Sequence, residues 1–372
     1  MLIYLLLPLA ILYCLFLSRL TIKRKYKWTN GEIFTARSNT ILILWALILL
    51  GLAAFKGVGV GVDYPMYYGF FLHESYTGIE PGISFFYDLA VKYENFFIFS
   101  IGTYALFIFF MFYGIKKNSP NYLISLLFFL LTYVYLNSYN QLRQLIAVSI
   151  IFCFVNILLS DKKIKKWMFI CIILLALLFH NSAIFMFCLF LIPKKPFNRK
   201  IVIPLFLLTI VLYFIPEFKN VAGDIIIKIS GVYAEKYTSN LDFFFEVNKE
   251  KGLLQLMPVI IQMFIVTVSL YLPKNELNLS INYGLYQFST NAVVINLWLY
   301  SIAGIESVDR IQLYFSAFNI YYYSILIHLL LNSKNRRNGQ IFMLFIVGFW
   351  MLYYVLRLFI NIAGVVPYSF FS

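Results

Sequence analysis

Asn137-Ser138-Tyr139-Asn140-Gln141-Leu142-Arg143-Gln144 is the stretch whose placement decides how this chain is read. It follows one apolar run, Tyr122 to Leu136, and opens the next, Leu145 to Leu159. An arginine, two glutamines and two asparagines therefore stand where a helix would enter a membrane from the non-cytoplasmic side. A charge near membrane depth costs about 2.5–3.5 kcal/mol on insertion scales, so it usually has a partner or a task. The first turn of a helix carries free N–H groups and a partial positive charge, and an arginine adds a bidentate fork. Together they form a seat for phosphate. The alternative on these residues alone is an arginine that snorkels to lipid headgroups.

The surrounding composition fits a membrane. The 372 residues are 62% hydrophobic and only 12% charged, with a mean hydropathy of +0.82, which excludes an ordinary soluble domain. The net charge of +14 does not indicate nucleic acid, because the basic residues fall in short clusters between apolar runs, the positive-inside pattern. Cys14, Cys153, Cys171 and Cys188 all lie in apolar runs, with no metal spacing and no disulfide framework. No basic segment precedes Leu2 to Leu17, while Arg19 to Lys27 follows it, so the first run reads as an uncleaved span.

A span needs about 20 apolar residues. The runs Leu2–Ser18, Thr40–Phe55, Phe96–Gly114, Tyr122–Leu136 and Leu145–Leu159 alternate across the membrane. Between them, Lys56 to Gly82 forms an outer loop, and Ile83 to Tyr93 predicts a surface helix with Phe86, Ala90 and Tyr93 on one side and an Asp88–Lys92 pair. Trp167 to Pro193 is too long for one span, is interrupted by His180-Asn181-Ser182, and has basic clusters at both ends. Two half-spans meeting at His180 satisfy that pattern, since polar, irregular backbone at depth is tolerated where it lines a cavity. Ile201–Ile215, Leu253–Leu272, Tyr283–Ile302, Ile311–Leu331 and Ile341–Ile360 complete the spans, and Glu217 to Lys251 is a long polar segment over the outer face. The expectation is a single all-α membrane domain over 1–372, with about twelve helical crossings and both ends outside. On that topology the cytoplasmic clusters hold 20 of the 30 basic residues, and 13 of the 16 acidic residues face out.

Ionisable residues gather at the outer ends of these spans. Asp63 lies in Gly61-Val62-Asp63-Tyr64-Pro65-Met66-Tyr67-Tyr68, where glycines admit a ligand and Tyr64 and Tyr67 offer stacking faces for sugars. Glu80 precedes Pro81-Gly82. Arg143 and Gln144 open a span, and His180 sits at the break. Glu306, Asp309 and Arg310 share one short outer turn, Tyr314 follows it, and Arg357 lies about a turn inside the outer end of the last span. Each has a plain structural alternative: a solvated loop acid for Asp63 or Glu80, a hydrogen-bonded structural histidine for His180, an ion pair with Glu306 or Asp309 for Arg310. His73 beside Glu74 reads as a surface pair, and His328 as packing. As a set, arginines suit a pyrophosphate, and a carboxylate or histidine suits a base that takes a proton from a hydroxyl. No metal spacing, phosphate-binding glycine loop or serine elbow is present.

The residues resemble the EpsG/Wzy-type polysaccharide polymerase family. The matching pieces are Gly61-Val62-Asp63-Tyr64 with Tyr67 and Phe70, Glu80-Pro81-Gly82, and Leu142-Arg143-Gln144-Leu145-Ile146-Ala147. Phe179-His180-Asn181-Ser182-Ala183-Ile184, then Arg310 with Tyr314-Phe315, and Pro367-Tyr368 follow in family order. One departure is Lys56, where an arginine would be expected before the Gly-Xaa-Asp element. The resemblance implies a GT-C-like architecture in a bacterial plasma membrane, with the site facing the exterior. It implies a metal-independent, cofactor-free glycosyltransferase that polymerises undecaprenyl-pyrophosphate-linked repeat units. Membrane lipid, a chain-length regulator and a flippase are the partners it implies, with no nucleic acid. Arg143 and Arg310 would hold the donor pyrophosphate with Arg357 supporting, Asp63 or His180 would serve as base with Glu80 in reserve, and Gln144, Tyr64, Tyr67 and Tyr314 would contact substrate. A ligase acting on finished glycan would use nearly the same site, and a lipid-linked oligosaccharide flippase is the transporter alternative.

Overall fold

The computed structural model describes residues 1–25, 32–215, 217–219, 221–222, 253–272, 283–333 and 336–371. Among these the regular elements are all helical, and the only extended pairing is one antiparallel bridge between Lys56 and Phe370. The polar segment expected over the outer face, Glu217 to Lys251, falls almost wholly outside the described residues. The chain groups into two compact units, Met1–Phe190 with Tyr323–Ser372, and Leu191–Tyr322.

The first unit holds α1 (Leu2–Lys25), α2 (Glu32–Ala54), α3 (Tyr64–Leu72), α4 (Pro81–Lys92), α5 (Phe96–Asn118), α6 (Tyr122–Leu131), α7 (Val134–Asn137), α8 (Leu142–Leu158) and α9 (Lys163–Leu177). A 3-10 helix, Asn181–Leu191, follows α9. Every residue of α6 from Leu123 to Leu131 is buried, and so is most of α8, as expected of helices that are apolar all round. Outer helices divide their faces. On α1, Tyr4, Leu7 and Ile11 turn inward while Leu2, Leu6, Leu9, Tyr13 and Phe16 are exposed. On the last helix of the chain, Leu344, Leu352, Leu356, Phe359 and Ile360 are likewise exposed. Exposed apolar surface on that scale is what lipid-facing helices present. Phe96–Asn118, Ser307–Leu331 and Arg337–Ile360 are long and apolar enough to cross a membrane, and shorter apolar helices accompany them. The protein is therefore a membrane protein, all-helical among the described residues.

Two elements differ from the sequence expectation. The run Tyr122–Leu136 is not one span: α6 stops at Leu131, and Tyr133 adopts a left-handed φ of 68° before α7 starts. The surface helix exists as α4, but it buries Ile83, Tyr87 and Ala90, while Tyr93 is exposed. Spacing of four and three sets the inward face, and Tyr87 wins it by stacking on Phe99 of α5, ring centroids 4.1 Å apart. Asp88 accepts from the Tyr76 hydroxyl at 2.9 Å, and Lys92 lies over the Tyr93 ring.

Lys56 is wholly buried. Its ammonium donates to the Tyr104 hydroxyl at 2.8 Å and the Ala53 carbonyl at 3.2 Å, and lies 2.9 Å from the centroid of Tyr64. Burial pulls the amine well below its ordinary pKa, and the Tyr64 and Tyr104 rings surround it. The Lys56–Phe370 bridge and the Gly57 N–H to Ser369 carbonyl bond (2.8 Å) fasten the chain's last residues to the same corner.

The second unit contains α10 (Arg199–Tyr213), α11 (Leu253–Ser269), α12 (Tyr283–Leu299), a 3-10 turn at Tyr300–Ile302, and α13 (Glu306–Ala317). The helix Asn319–Leu331 (α14) runs from this unit into the first, and α15 (Arg336–Ile360) belongs to the first.

Candidate functional site

Three segments far apart in sequence meet at the mouth of α8. Arg143 is in its first turn, and its Nη1 lies 2.7 Å from Oε2 of Glu80. Glu80 stands at the N-cap position of α4 but makes no side-chain cap bond to its own helix. Its oxygens reach outward: Oε2 to Arg143, and Oε1 to the backbone N–H of Asn181 at 3.4 Å. The pair is unevenly buried, with the carboxylate side chain 7% exposed and the guanidinium 28%. Arg143 thus keeps partial exposure at the first turn of α8, with Tyr67 as its second neighbour beside Glu80.

The third segment is the break after α9. The helix ends at Leu177, and the chain resumes as an eleven-residue 3-10 helix at Asn181. Runs of that geometry longer than about 3–4 residues are uncommon. The carbonyl of Leu178, orphaned at the helix end, accepts the Gly82 N–H at 2.7 Å. His180 is 8% exposed. Its Nδ1 accepts from the Ser182 backbone N–H at 3.1 Å. A backbone N–H can only donate, so in the neutral ring the proton is assigned to Nε2.

The electrostatics tie these groups together. Burial alone would raise the Glu80 pKa, but Arg143 first, then His180 and backbone N–H donors, outweigh it and hold the carboxyl below the usual range. Tyr67 is 2% exposed and donates to the Asn140 carbonyl at 3.1 Å. Burial pushes its phenol up, Arg143 pulls it back, and Asp63 pushes it up again. Asp63 thus belongs to the same field, at the N-terminal end of α3, where a negative charge complements the helix dipole.

Asn140 sets the loop in place. Its Oδ1 accepts the Val62 N–H at 2.7 Å and its Nδ2 donates to the Ala363 carbonyl at 3.0 Å. Gly61 has φ +101°, and a Cβ there would come 2.8 Å from the Tyr139 carbonyl. That position accepts glycine alone. Gly82 is similarly close, since its Cβ would meet the Leu178 carbonyl and the Phe179 ring at 2.8 Å. Gly82→Ala is expected to wedge the Glu80 loop from the His180 break and destabilise the protein by about 1–3 kcal/mol. A lowered Tm of the purified protein together with shortened polymer in cells checks this; wild-type values for both would show that the two segments need not touch.

The remaining sequence candidates are dispersed. Tyr64 is fully buried, bonded to Ser100 at 2.7 Å, with Lys56 over its ring, so its face is not open to sugar in this structure. Tyr67 is buried too and works as a hydrogen-bond donor. Gln144 is buried at 3% exposure. Arg357 lies with its Cζ 3.8 Å from the Tyr133 ring centroid and Nη2 3.5 Å from Asn137, six residues before Arg143. Arg310, half-buried on α13, and Tyr314, 1% exposed, belong to the second unit. There Asp309 accepts the Gly304 N–H at 3.0 Å. Asn140, Gly82 and Asn181 are the participants that sequence reasoning did not place in the site. Two half-buried asparagines and a glycine beside apolar runs were the available signals. Among the described residues no cluster of metal-binding side chains occurs.

A comparison with protein families matches residues 39–370 to the EpsG family. Nothing matches among the curated proteins or the solved structures.

Proposed function

We propose that this chain, which belongs to the EpsG family, is a membrane glycosyltransferase that polymerises lipid-pyrophosphate-linked oligosaccharide repeats at the outer membrane face. About twelve crossings, an undecaprenyl carrier and an external site are parts of the same reading. The observation that carries it is the Arg143–Glu80 pair at the start of α8, closed from the other side by the His180 break.

The chemistry follows from what each group can do. The partly exposed Arg143 and the N–H groups of α8 receive the donor pyrophosphate. His180 presents its Nε2–H, and Arg357, in the same unit, is the further cation proposed for this anion. Glu80, ionised and anchored by Asn181, takes the proton from the acceptor hydroxyl; Asp63 is the second carboxylate near the site. The acceptor oxygen forms a bond to the anomeric carbon, the bond from that carbon to the phosphate oxygen breaks, and the lipid pyrophosphate leaves with its charge met by guanidinium. Burial of Glu80 against Arg143 keeps the base oriented before substrate arrives.

The gel pattern of lipid-linked glycan tests the class. Cells lacking this protein are expected to accumulate a single outward-facing repeat on lipid. Absence of outward-facing repeats would instead identify a flippase, and long unattached chains a ligase.

A further inference from the structure

A cavity of about 870 Å³ lies within the second unit, and none of its lining residues is among the candidate site residues. Its walls come from three chain segments: the loop Lys195–Arg199, the end of α11 from Ser269 to Leu272, and the start of α12 from Tyr283 to Thr290. The charge pattern of the sequence assigns each of these segments separately to the cytoplasmic side. The fold brings the three together.

The lining has a definite chemistry. Lys195 and Arg199 supply two cations, Tyr271, Tyr283 and Tyr286 supply ring faces, and none of the described lining residues is acidic. Arg199 lies 4.5 Å from the Tyr271 ring centroid, which orients its guanidinium while leaving its donors in the plane free to turn to an anion. The loop is built, not loose. Asn291, fully buried in α12, donates to the carbonyls of Pro193 and Lys195, both at 2.8 Å, and accepts the Phe197 N–H at 2.8 Å. A buried amide inside an apolar helix is costly unless satisfied. Here its bonds all go to fixing the cationic loop over the cavity.

We propose that this cavity is a second binding site, for a phosphate group carried on an apolar or flat body, at the membrane surface. Its size fits a small-molecule or headgroup site, which typically spans about 300–1,000 Å³. Fixed cations select the phosphate, and the tyrosine rings take the body attached to it. Lipid headgroup and soluble phosphate ester share this chemistry. The site is independent of glycosyl transfer at Arg143 and stands or falls without it.

The test uses the full-length protein in neutral detergent, with dioleoylphosphatidylglycerol and inorganic phosphate as separate probes. Native mass spectrometry counts bound lipid, and thermal unfolding reads protection. The expected result is a retained lipid adduct and a raised Tm for the wild type. Lys195→Gln/Arg199→Gln is expected to weaken both at least tenfold. Lys194→Gln/Lys200→Gln, which removes equal charge from neighbours outside the lining, is expected to leave them unchanged. Protection by inorganic phosphate without lipid would support the same site with a soluble ligand. Equal loss in both double variants would show general surface attraction and overturn the proposal, as would equal binding in all three proteins.

Discussion

Arg143→Ala is expected to abolish polymer while the protein remains in the membrane. Arg143 contributes in two directions. Toward the protein it neutralises Glu80 at 2.7 Å, and in the proposed reaction its fork receives phosphate beside the first turn of α8. Alanine removes both and leaves a nearly buried carboxylate unpaired, with a stability loss of about 1–3 kcal/mol. Arg143→Lys separates the two contributions. An ammonium can still reach a carboxylate, so stability is expected to stay near wild type. It cannot form the planar fork, and the missing charge-assisted bond to phosphate, worth about 1.5–3 kcal/mol, lowers turnover roughly ten- to hundredfold. Chain length and yield of cellular polymer, set against Tm of the purified variants, are the measurements. Long chains at normal yield from Arg143→Lys would remove the phosphate-fork role.

What the sequence disclosed and what it hid divide along a physical line. Hydropathy and charge clusters disclosed helices and the interruption at His180-Asn181-Ser182, because a polar tripeptide inside an apolar run has few ways to be satisfied. The Gly61–Asp63 loop and Arg143 were marked by residue type. The pairing of Arg143 with Glu80 was hidden, since 63 positions separate them and no periodicity links a loop acid to a helix start. Tyr64 misled for a related reason. Composition makes a tyrosine beside glycines look available to a sugar, and only packing reveals that a buried lysine has taken its face. The inward face of α4 was a closer contest. Three aromatic residues compete for it, and the stack of Tyr87 on Phe99 decides, which needs α5 in place.

Glu80→Gln is expected to produce the second large loss, a fall in turnover of roughly 10²–10⁴. The amide is nearly the same size, so Gly82, Leu178 and the α4 backbone need not move. Its oxygen can still face Arg143 or Asn181, but not accept a proton. Acid dependence separates a base from a mere anchor. Arg143 and His180 hold the wild-type carboxyl ionised below the usual range, despite its burial. A depressed folded value means that the charge stabilises the fold above the unfolded pKa, and that this stability is lost as pH falls through the folded one. Wild-type activity is therefore expected to persist at pH values where an ordinary carboxylate begins to protonate, then to fall below them. Glu80→Gln is expected to have low activity with that acid limb flattened, and a Tm less sensitive to acid than wild type. A variant that keeps the wild-type acid limb at reduced rate would move the base to Asp63, the other carboxylate whose field reaches Tyr67. Full activity in Glu80→Gln would leave the pair as a structural clasp. Combining Glu80→Gln with Arg143→Lys then reports coupling: a double loss well short of the product of the single losses is the expected result for two groups acting on one substrate.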